Sequence, residues 1–505
     1  MAGLEVALGV VAAVVLVGVL AVRVSVRLGL PSLLLYLGIG VLLGESALGL
    51  QFSDALLTEN LGIAALVLIL IEGGLTTRWD AVRPSLGVGI ALSTVAVVVS
   101  IGVVGVLLHL LLGLDWRVAF LWGAVLSSTD AAAVFSVLRG VGVSRRLAGA
   151  LELESGLNDA PVVLAVVLLA SGDPIRWWTP ALVVYELAAG GAIGAVLGLG
   201  GAWALRRAAL PSTGLYPLAT MSVCVLAFAG GQLAHASGLL ATYVCALVLG
   251  NSRLPHRGGV LSFAEGTGWL AQIGLFVLLG LYVSPLRLGE AVVPALIAGA
   301  VLLFAGRPLS VVAAALPFKV PWREQAFLSW SGLRGAVPIV LALITLVEGA
   351  PSGSQLVDVV FVLVVVLTLL QGTTLPWVAA RLKVVQSTEM REVEVDSAPL
   401  DELDADLLQV RVPVGSKLSG VYLRELRLPR GATVSLVVRD GQGFTPDLET
   451  RLREHDQLLV VTTAQARRAA EDRIRAVDRA GRLARWFGVG QEPAAGATDG
   501  TDGRG

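Results

Sequence analysis

Polar side chains interrupt a long apolar stretch of the sequence, residues 150–168 (ALELESGLNDAPVVLAVVL). Glu154, Asn158 and Asp159 fall within six positions of one another there. Inserting a carboxylate at the centre of a membrane span costs at least about 2.5–3.5 kcal/mol, so such residues are kept where they face a cavity or a partner. The stretch therefore predicts an ion pathway, with Asp159 as the candidate carboxylate for binding a proton or a cation.

A second polar group, Ser127-Ser128-Thr129-Asp130, interrupts another apolar run upstream. Asp159 lies about twelve residues into its span, or roughly 18 Å at 1.5 Å per residue, and Asp130 lies at a similar depth from the opposite face. A hydrocarbon core is roughly 30 Å thick. Both carboxylates are therefore predicted near its middle, where two opposed helices could share one site.

Helical spacing divides these polar side chains into two faces. Ser155 and Asp159 are four residues apart and share one face, whereas Glu154 and Asn158 share the next. We expect the first pair to point into a cavity and the second to point sideways at a neighbouring helix. A buried charge needs a partner, and the available buried cation is Arg334. A structural Glu154–Arg334 ion pair is therefore predicted, with Asn158 holding the fold and tuning Asp159.

Oxygen ligands suit a hard monovalent cation. The predicted cavity offers them from Asp159, Ser155, the Thr129 carbonyl and the Asp130 side chain. The role of Asp130 stays open, because it could instead cap a half-helix and orient the site. A carboxylate in a partly dry site can hold either a proton or a cation near neutral pH, but not both well. Competition for one carboxylate that faces each side of the membrane in turn is sufficient for antiport.

Composition places these spans in a polytopic membrane protein surrounded by lipid. Of the 505 residues, 55% are hydrophobic and 15% are charged, and the mean hydropathy is +0.81. The first apolar run, residues 4–22, lacks a basic flank before it and is long enough to span a bilayer, so it predicts a retained helix instead of a cleavable signal. The only cysteines, Cys224 and Cys245, lie in apolar spans, which excludes a disulfide framework or a paired-cysteine metal site.

The sequence contains thirteen candidate spans between residues 4 and 380. The connections between them alternate between many and few basic residues. By our count, the odd-numbered connections carry fifteen Lys and Arg residues and the even-numbered ones carry three. Under the positive-inside rule, this bias predicts an amino terminus outside the cell and a cytoplasmic carboxyl-terminal domain. The expected location is the plasma membrane.

Two spans contain internal interruptions at corresponding positions. Span five, residues 118–138, contains SSTD, and span twelve, residues 325–347, contains two Gly, a Pro and a buried Arg. If spans one to six and eight to thirteen are inverted repeats, both interruptions fall in the fifth helix of a repeat. Paired broken helices at the midplane are typical of secondary transporters. The predicted fold is an all-α membrane domain of about 13 helices in inverted repeats, with two crossed broken helices.

Charged residues become frequent after residue 388, which predicts a separate soluble domain. We predict a membrane domain at residues 1–385, a linker at 386–403, a small cytosolic α+β domain at 404–487 and a disordered tail at 488–505. Within the soluble domain we predict strands at 407–412, 433–438 and 457–461, a short helix at 418–426, a turn at Asp440-Gly441 and an amphipathic helix from 465 to about 486.

Three segments resemble one transporter family. SSTDAAAV in span five, ESGLNDAPV in span six and SGLRGAVPI in span twelve are similar to motifs of the first cation:proton antiporter family, which contains the sodium/proton exchangers. Residues 237–251 look like the region of the eighth and ninth spans of that family, and the resemblance covers roughly residues 5–385. Residues 404–470 resemble an RCK-C (TrkA-C) regulatory domain. This combination is most like the bacterial potassium/proton antiporter branch.

The resemblance implies a mechanism and an assembly. It assigns the essential carboxylate to Asp159 and the crossing broken helices to spans five and twelve. The adjacent Asn158 and Asp159 imply electroneutral one-for-one exchange. The family fold implies a homodimer in which a core domain moves against a dimer-forming scaffold, and the carboxyl-terminal domain would bind a small regulatory ligand. The transported ions are H⁺ and either K⁺, which the resemblance favours, or Na⁺, and no resident cofactor is expected.

Two other classes of protein stay as alternatives. A channel with an RCK domain needs a carbonyl filter such as TVGYG, which the sequence lacks, and it would leave the buried carboxylate unexplained. A membrane sensor whose cytosolic domain is the output would not need broken helices. An enzyme is not indicated, and nucleic-acid binding is not expected because no basic stripe with interleaved aromatic residues occurs.

Glu72 is interpreted as an interfacial charge near the inner end of span three.

Overall fold

A computed structural model describes residues 2–28, 31–44, 49, 54–130, 143–172, 174, 176–285, 287–385, 395–400, 405–413, 415–463 and 465–480. The chain divides into two compact units, residues 1–385 and 386–505. The first is helical, and the second contains a five-stranded sheet.

The first unit is built from helices whose apolar composition suits a bilayer. Within the described part of the chain, nine helical segments are long and apolar enough to cross a membrane, and three shorter apolar helices accompany them. In chain order the helices are α1 (Ala2–Leu28), α2 (Ser32–Leu43), α3 (Ala55–Thr76), α4 (Trp79–Val82), α5 (Leu86–Ser93), α6 (Val95–Leu112), α7 (Trp116–Val125), α8 (Arg145–Ala170), α9 (Thr179–Arg207), α10 (Leu215–Leu233), α11 (Gly238–Gly250), α12 (Arg257–Tyr282), α13 (Leu288–Val301), α14 (Arg307–Ala315), α15 (Trp322–Trp330), α16 (Val337–Val347) and α17 (Gly353–Leu382).

Short irregular turns join several of these helices. A 3₁₀ turn, Arg83–Ser85, connects α4 to α5, and a π-helical turn, Leu302–Gly306, connects α13 to α14. Single π turns inside helices occur frequently at functional sites. Here the turn is followed at once by Arg307, which is buried inside the helix bundle.

Each of the thirteen predicted spans overlaps at least one of these helices, but their number stays a prediction. Span four, predicted at residues 86–112, corresponds to α5 and α6 together, and span eleven, predicted at residues 291–316, corresponds to α13 and α14. Helices α2, α11 and α16 have 12, 13 and 11 residues, which is fewer than the roughly 20 that cross a hydrocarbon core. The second half of span five lies outside the described residues, which stop at Asp130 and resume at Val143.

Helix α16 occupies the interior of the first unit. Its residues from Val337 to Thr345 are all buried, as expected for a helix that is apolar on every face. It packs against α3, α8 and α17. The helix that follows the second interruption is therefore held on all sides, which fixes the position of the interruption itself.

The second unit is an antiparallel sheet with one helix against it. The strand order is β1-β2-β5-β3-β4. Side chains that alternate along β2 and β5, such as Leu408 and Val460, share a core with Ile474 and Val477 of the last helix, following the periods of 2 and 3.6 residues. The elements are β1 (Val395–Leu400), β2 (Ala405–Arg411), α18 (Leu423–Leu426), β3 (Ala432–Arg439), β4 (Gln442–Phe444), β5 (Gln457–Thr463) and α19 (Arg467–Ala480).

The predicted turn between β3 and β4 is confirmed. Asp440 and Gly441 have φ angles of 51° and 79°. Positive φ at both central residues is the geometry of the two-residue hairpin turn that Asp-Gly favours.

The linker predicted at residues 386–403 contains a strand that the sequence pattern did not indicate. Strand β1 pairs with β2 from Val395 opposite Val410 to Leu400 opposite Ala405. Its sequence, VDSAPL, lacks apolar alternation and contains a Pro, which strands tolerate at a sheet edge. Pairing with β2, not local propensity, determines this strand. The linker prediction is therefore wrong for these 6 residues.

A buried ion pair predicts where the second unit is most sensitive to substitution. Both carboxylate oxygens of Asp456, which is fully buried, accept hydrogen bonds from the Arg439 guanidinium at 2.8 Å, and these bonds raise the pKa of Arg439. Breaking a buried pair costs about 3–5 kcal/mol. We expect Arg439→Leu to destabilise this unit by about 3 kcal/mol, the low end of that range because Arg439 is partly exposed, as measured by urea-dependent proteolysis of the full-length protein.

The matched control for this prediction is Arg424→Leu. Arg424 pairs with Glu449 on the surface, where both side chains are exposed, and such pairs contribute about 0–1 kcal/mol. Equal protease sensitivity of the two variants would contradict a stabilising role for the Arg439–Asp456 pair.

Candidate ion-binding site

The first polar interruption ends helix α7 inside the bundle. The helix stops at Val125, and the Ser127 hydroxyl donates a hydrogen bond to the Gly123 carbonyl at 2.6 Å. Thr129 and Asp130 follow in non-helical conformation. The last carbonyls of a helix have no partner within the helix, so this break leaves carbonyl oxygens available to side chains from other segments.

The second interruption separates α15 from α16 and crosses the first. The backbone N–H of Asp130 donates to the Leu333 carbonyl at 2.9 Å, and the Arg334 guanidinium donates to the Ser128 carbonyl. Pro338 lies in the first turn of α16, where its missing N–H costs no helical hydrogen bond. The predicted crossing of the two interrupted segments is confirmed by these contacts.

Charges at the crossing complement the ends of the broken helices. Asp130 packs against Gly335, just before the amino terminus of α16, and Arg334 contacts the Ser128 carbonyl just beyond the carboxyl end of α7. Helix amino termini carry a partial positive charge and carboxyl termini a partial negative one. Each charged side chain therefore stabilises the helix end beside it, which fits the capping alternative for Asp130.

The closest approach of the two segments predicts a severe defect for one small substitution. A Cβ atom at Gly335 would lie 1.8 Å from Asp130 Oδ2, so a larger residue fits only if Asp130 moves. We expect Gly335→Ala to lower the exchange rate on the order of 100-fold, as a misplacement of about 1 Å does for reacting groups. The rate is measured as cation-driven proton flux in proteoliposomes. The control is Gly274→Ala in α12, where a Cβ meets nothing within 4 Å, and equal rates in both variants would contradict this interpretation of the crossing.

Helix α8 brings the other predicted residues to the crossing. The Ser128 hydroxyl donates to Asp159 Oδ1 at 2.9 Å, and the Ser155 hydroxyl donates to the Thr129 carbonyl at 3.4 Å. Asn158 Nδ2 donates to Thr129 Oγ1 at 2.6 Å. Polar side chains of α8 are thus hydrogen-bonded to both Ser128 and Thr129 of the broken segment.

The four residues predicted to bind the ion line one cavity of about 280 Å³: Thr129, Asp130, Ser155 and Asp159. The helical spacing had placed Ser155 and Asp159 on one cavity-facing side of α8, and the structure agrees. The cavity therefore brings together two carboxylates, a hydroxyl and a backbone carbonyl next to them, which is a set of oxygen ligands suited to a hard monovalent cation.

Glu154 pairs with a different arginine from the one predicted. Arg307 Nη1 lies 2.5 Å from Glu154 Oε1, with both side chains buried, and Thr129 Oγ1 donates to the same carboxylate oxygen at 3.1 Å. The Arg334 guanidinium instead donates to the Ser128 carbonyl. The predicted Glu154–Arg334 pair is thus replaced by a Glu154–Arg307 pair, because the broken end of α7 provides Arg334 with an unpaired carbonyl.

Sequence reasoning missed Arg307, although a signal was present. Arg307 stands in the middle of the apolar run that forms α13 and α14, directly before a Pro. A charged residue at that depth needs a partner and could have been considered beside Arg334.

Three further acidic residues line the same cavity: Glu72, Glu152 and Glu265. The hydroxyl of Thr77 donates to Glu152 Oε1 at 2.6 Å. Glu152 precedes Asp159 by seven residues, or two helical turns, so the spacing that grouped Ser155 with Asp159 also extends to Glu152. Glu72, interpreted from the sequence as an interfacial charge, belongs to the cavity wall as well.

Comparison with known proteins identifies both units. Residues 11–381 match the family described as sodium/hydrogen exchanger, transmembrane, and residues 407–475 match the TrkA-C domain. The chain is 35% identical over 464 residues to the K(+)/H(+) antiporter NhaP of Alkalimonas amylolytica, which covers 90% of this chain and 80% of that protein. It is 30% identical over 375 residues to a Na(+)/H(+) antiporter of a Synechocystis species, which covers 70% of this chain and 67% of that protein.

A solved structure has the same architecture. The sodium proton antiporter of Methanocaldococcus jannaschii superposes with a TM-score of 0.67 at 20% sequence identity, covering 75% of this chain and 99% of that chain. The predicted all-α polytopic fold with a small carboxyl-terminal α+β domain is confirmed. The chain therefore belongs to the sodium/hydrogen exchanger family and is a cation/proton antiporter that carries a TrkA-C domain.

Proposed function

We propose that this antiporter exchanges K⁺ for H⁺ and that both ions compete for the Asp159 carboxylate. The observation that carries the proposal is the cavity in which Asp159 and Ser155 face Thr129 and Asp130. Two relatives with high coverage, from Alkalimonas amylolytica and from Shewanella sp. (strain MR-4), are named K(+)/H(+) antiporters. Their names favour K⁺ over Na⁺ as the cation.

Each oxygen of the site has a role in this proposal. Asp159 supplies the charge that a proton or a cation neutralises. The Ser155 hydroxyl and the Thr129 carbonyl supply neutral ligands, and the Ser128 hydroxyl orients the carboxylate through its hydrogen bond to Oδ1. The Asp130 side chain either completes the ligand set or balances the amino terminus of α16. No resident cofactor is needed, since the transported ions are themselves the ligands.

The cavity leads from Asp159 towards one side of the membrane. It reaches Thr76 and Thr77 at the end of α3, and the next residue is Arg78, in one of the basic connections. The positive-inside rule assigns those connections to the cytoplasm. We therefore propose that the site is accessible from the cytoplasm in this conformation and from outside in another, which is the alternation that antiport requires.

Several properties of the family are proposed for this chain on the same basis. The adjacent Asn158 and Asp159 support electroneutral one-for-one exchange in the plasma membrane, with the amino terminus outside. The family fold supports a homodimer, and the TrkA-C domain supports regulation by a small ligand in the cytoplasm.

Proton flux in proteoliposomes tests the choice of cation. Full-length protein is reconstituted into vesicles that contain a pH-sensitive dye, and a pH gradient is imposed with the acidic side inside. KCl, NaCl or choline chloride is then added outside. We expect proton efflux to reach half its maximal rate at a lower K⁺ than Na⁺ concentration, with no response to choline. A lower half-maximal concentration for Na⁺ would contradict the choice of K⁺.

The same vesicles test the coupling ratio and the alternative classes of protein. Electroneutral exchange generates no current on a solid-supported membrane, whereas a channel generates one. A channel would also move K⁺ without counter-movement of H⁺, and a membrane sensor would move neither ion.

A further inference from the structure

A second and larger cavity, of about 630 Å³, lies between two sets of helices in the first unit. Helices α5 and α8 form one wall, and α9 and α11 form the other. Eleven of its seventeen lining residues are aliphatic, among them Ile90, Leu157, Leu199 and Leu240. The volume lies within the roughly 300–1,000 Å³ of known ligand pockets, and the lining suits a hydrocarbon chain.

Helix α8 separates this apolar cavity from the ion site. Leu153, Leu157 and Pro161, at successive four-residue intervals, line the apolar cavity, whereas Ser155 and Asp159 line the ion cavity. Residues four apart share a helix face, so the two cavities use two faces of one helix.

Tyr243 in α11 forms part of both walls. Its ring packs so closely against α8 that a Cβ at Gly156 would lie 2.3 Å from it. An occupant of the apolar cavity would therefore contact the same side chain that bounds the ion cavity.

One end of the apolar cavity is polar and basic. Trp79, Asn251 and Ser252 line it, and Trp is enriched where a membrane meets water. Three exposed arginines lie within three residues of the lining positions at this end (Trp79, Leu86, Asn251 and Ser252), and by the same criterion the only acid there is Asp80. These arginines are Arg78, Arg83 and Arg253.

We propose that this cavity binds a membrane phospholipid with an anionic headgroup. An acyl chain would lie along the aliphatic walls, and the phosphate would sit at the polar end among the arginines. Basic pockets between membrane helices on the cytoplasmic side attract anionic headgroups, at about 1 kcal/mol for each Lys or Arg near the surface. The charge of the rim selects an anionic lipid over a zwitterionic one. The exposed aliphatic lining on a membrane-spanning unit, such as Ile90 and Leu199, selects a lipid over a soluble ligand.

Native mass spectrometry of the full-length protein tests the site. Detergent-solubilised protein is incubated with equal amounts of phosphatidylglycerol and phosphatidylcholine that carry the same acyl chains. We expect wild-type protein to retain phosphatidylglycerol preferentially. Ile90→Trp, at a lining position with room for a larger ring because Ile90 is 46% exposed, should lose the bound lipid. Leu110→Trp is the matched control, on α6 at a position that is 67% exposed and sixteen residues beyond the lining residue Thr94.

Replacing rim arginines tests the headgroup assignment. Arg78→Gln and Arg253→Gln should each lower the preference for phosphatidylglycerol about fivefold, while Arg381→Gln, at an exposed position near the end of α17, should not change it. Retention of phosphatidylglycerol by Ile90→Trp at the wild-type level would overturn the site. Equal retention of both lipids by wild-type protein would overturn the anionic headgroup. Bound lipid is counted directly, so neither result depends on which cation is exchanged.

Discussion

The Asp159→Asn variant is expected to fold and to show no cation-driven proton flux above that of protein-free vesicles. Asn has the shape of Asp, and its carbonyl oxygen can still accept the hydrogen bond that the Ser128 hydroxyl donates at 2.9 Å. The substitution removes the negative charge and the titratable proton, which are the two properties that competition between H⁺ and a cation requires. Loss of exchange with an unchanged fold would thus locate the shared carboxylate.

The control for Asp159→Asn removes a carboxylate from elsewhere in the first unit. Asp358 in α17 is half-buried and is not among the residues that line the ion cavity. Asp358→Asn should therefore retain wild-type flux. Both variants must elute as a single species in size-exclusion chromatography. Flux in Asp159→Asn at the wild-type level would eliminate the competition mechanism, although it would leave the family assignment intact.

Local spacing was sufficient to place the side chains of α8. The positions of Ser155 and Asp159 relative to Glu154 follow from the 3.6-residue period alone, and the cavity lining agrees with them. Chain depth was likewise sufficient to bring Asp130 near Asp159, because Asp159 lies within one helix and Asp130 follows the end of α7 by only five residues. Such inferences require no knowledge of how distant segments pack.

Partners between distant segments could not be derived in this way. Arg307 and Arg334 are both buried, and hydropathy cannot decide which of them reaches Glu154. The choice depends on the break in α7, whose free Ser128 carbonyl takes up Arg334, and on the π turn that precedes Arg307. Strand β1 was not predicted for a similar reason. It is a strand because it pairs with β2, and its own sequence does not indicate one.

The two helix breaks together explain why the polar site is stable in an apolar bundle. Each break exposes a helix end with a partial charge, and the opposite segment provides a side chain of opposite sign: Arg334 for α7 and Asp130 for α16. Buried polar groups without partners cost free energy, so neither break would be stable alone. The crossing is therefore a single polar unit, and the Glu154–Arg307 pair supports it through the hydrogen bond from Thr129 to Glu154.

Single substitutions of that pair should be among the most destabilising in the first unit. Glu154 and Arg307 are buried and lie 2.5 Å apart, and removing one partner of such a pair leaves an uncompensated charge, at a cost of about 3–5 kcal/mol. We expect Glu154→Gln and Arg307→Gln each to lower the free energy of unfolding by this amount, as measured in mixed detergent micelles. Because the pair supports the site without binding the ion, folded Glu154→Gln protein should keep a wild-type half-maximal K⁺ concentration.

A double-mutant cycle decides which arginine supports Glu154. If Arg307 is the partner, the Glu154→Gln/Arg307→Gln double variant should be more stable than the sum of the two single losses predicts, with a coupling energy near the upper end of about 0.5–3 kcal/mol. The matched cycle uses Arg334→Gln, which also removes a buried arginine but one whose guanidinium donates to the Ser128 carbonyl. Its coupling to Glu154 should be smaller, since that contact survives when Glu154 is replaced. A larger coupling for Arg334 than for Arg307 would restore the pairing expected from the sequence and would mean that the helix break at α7 is capped in another way.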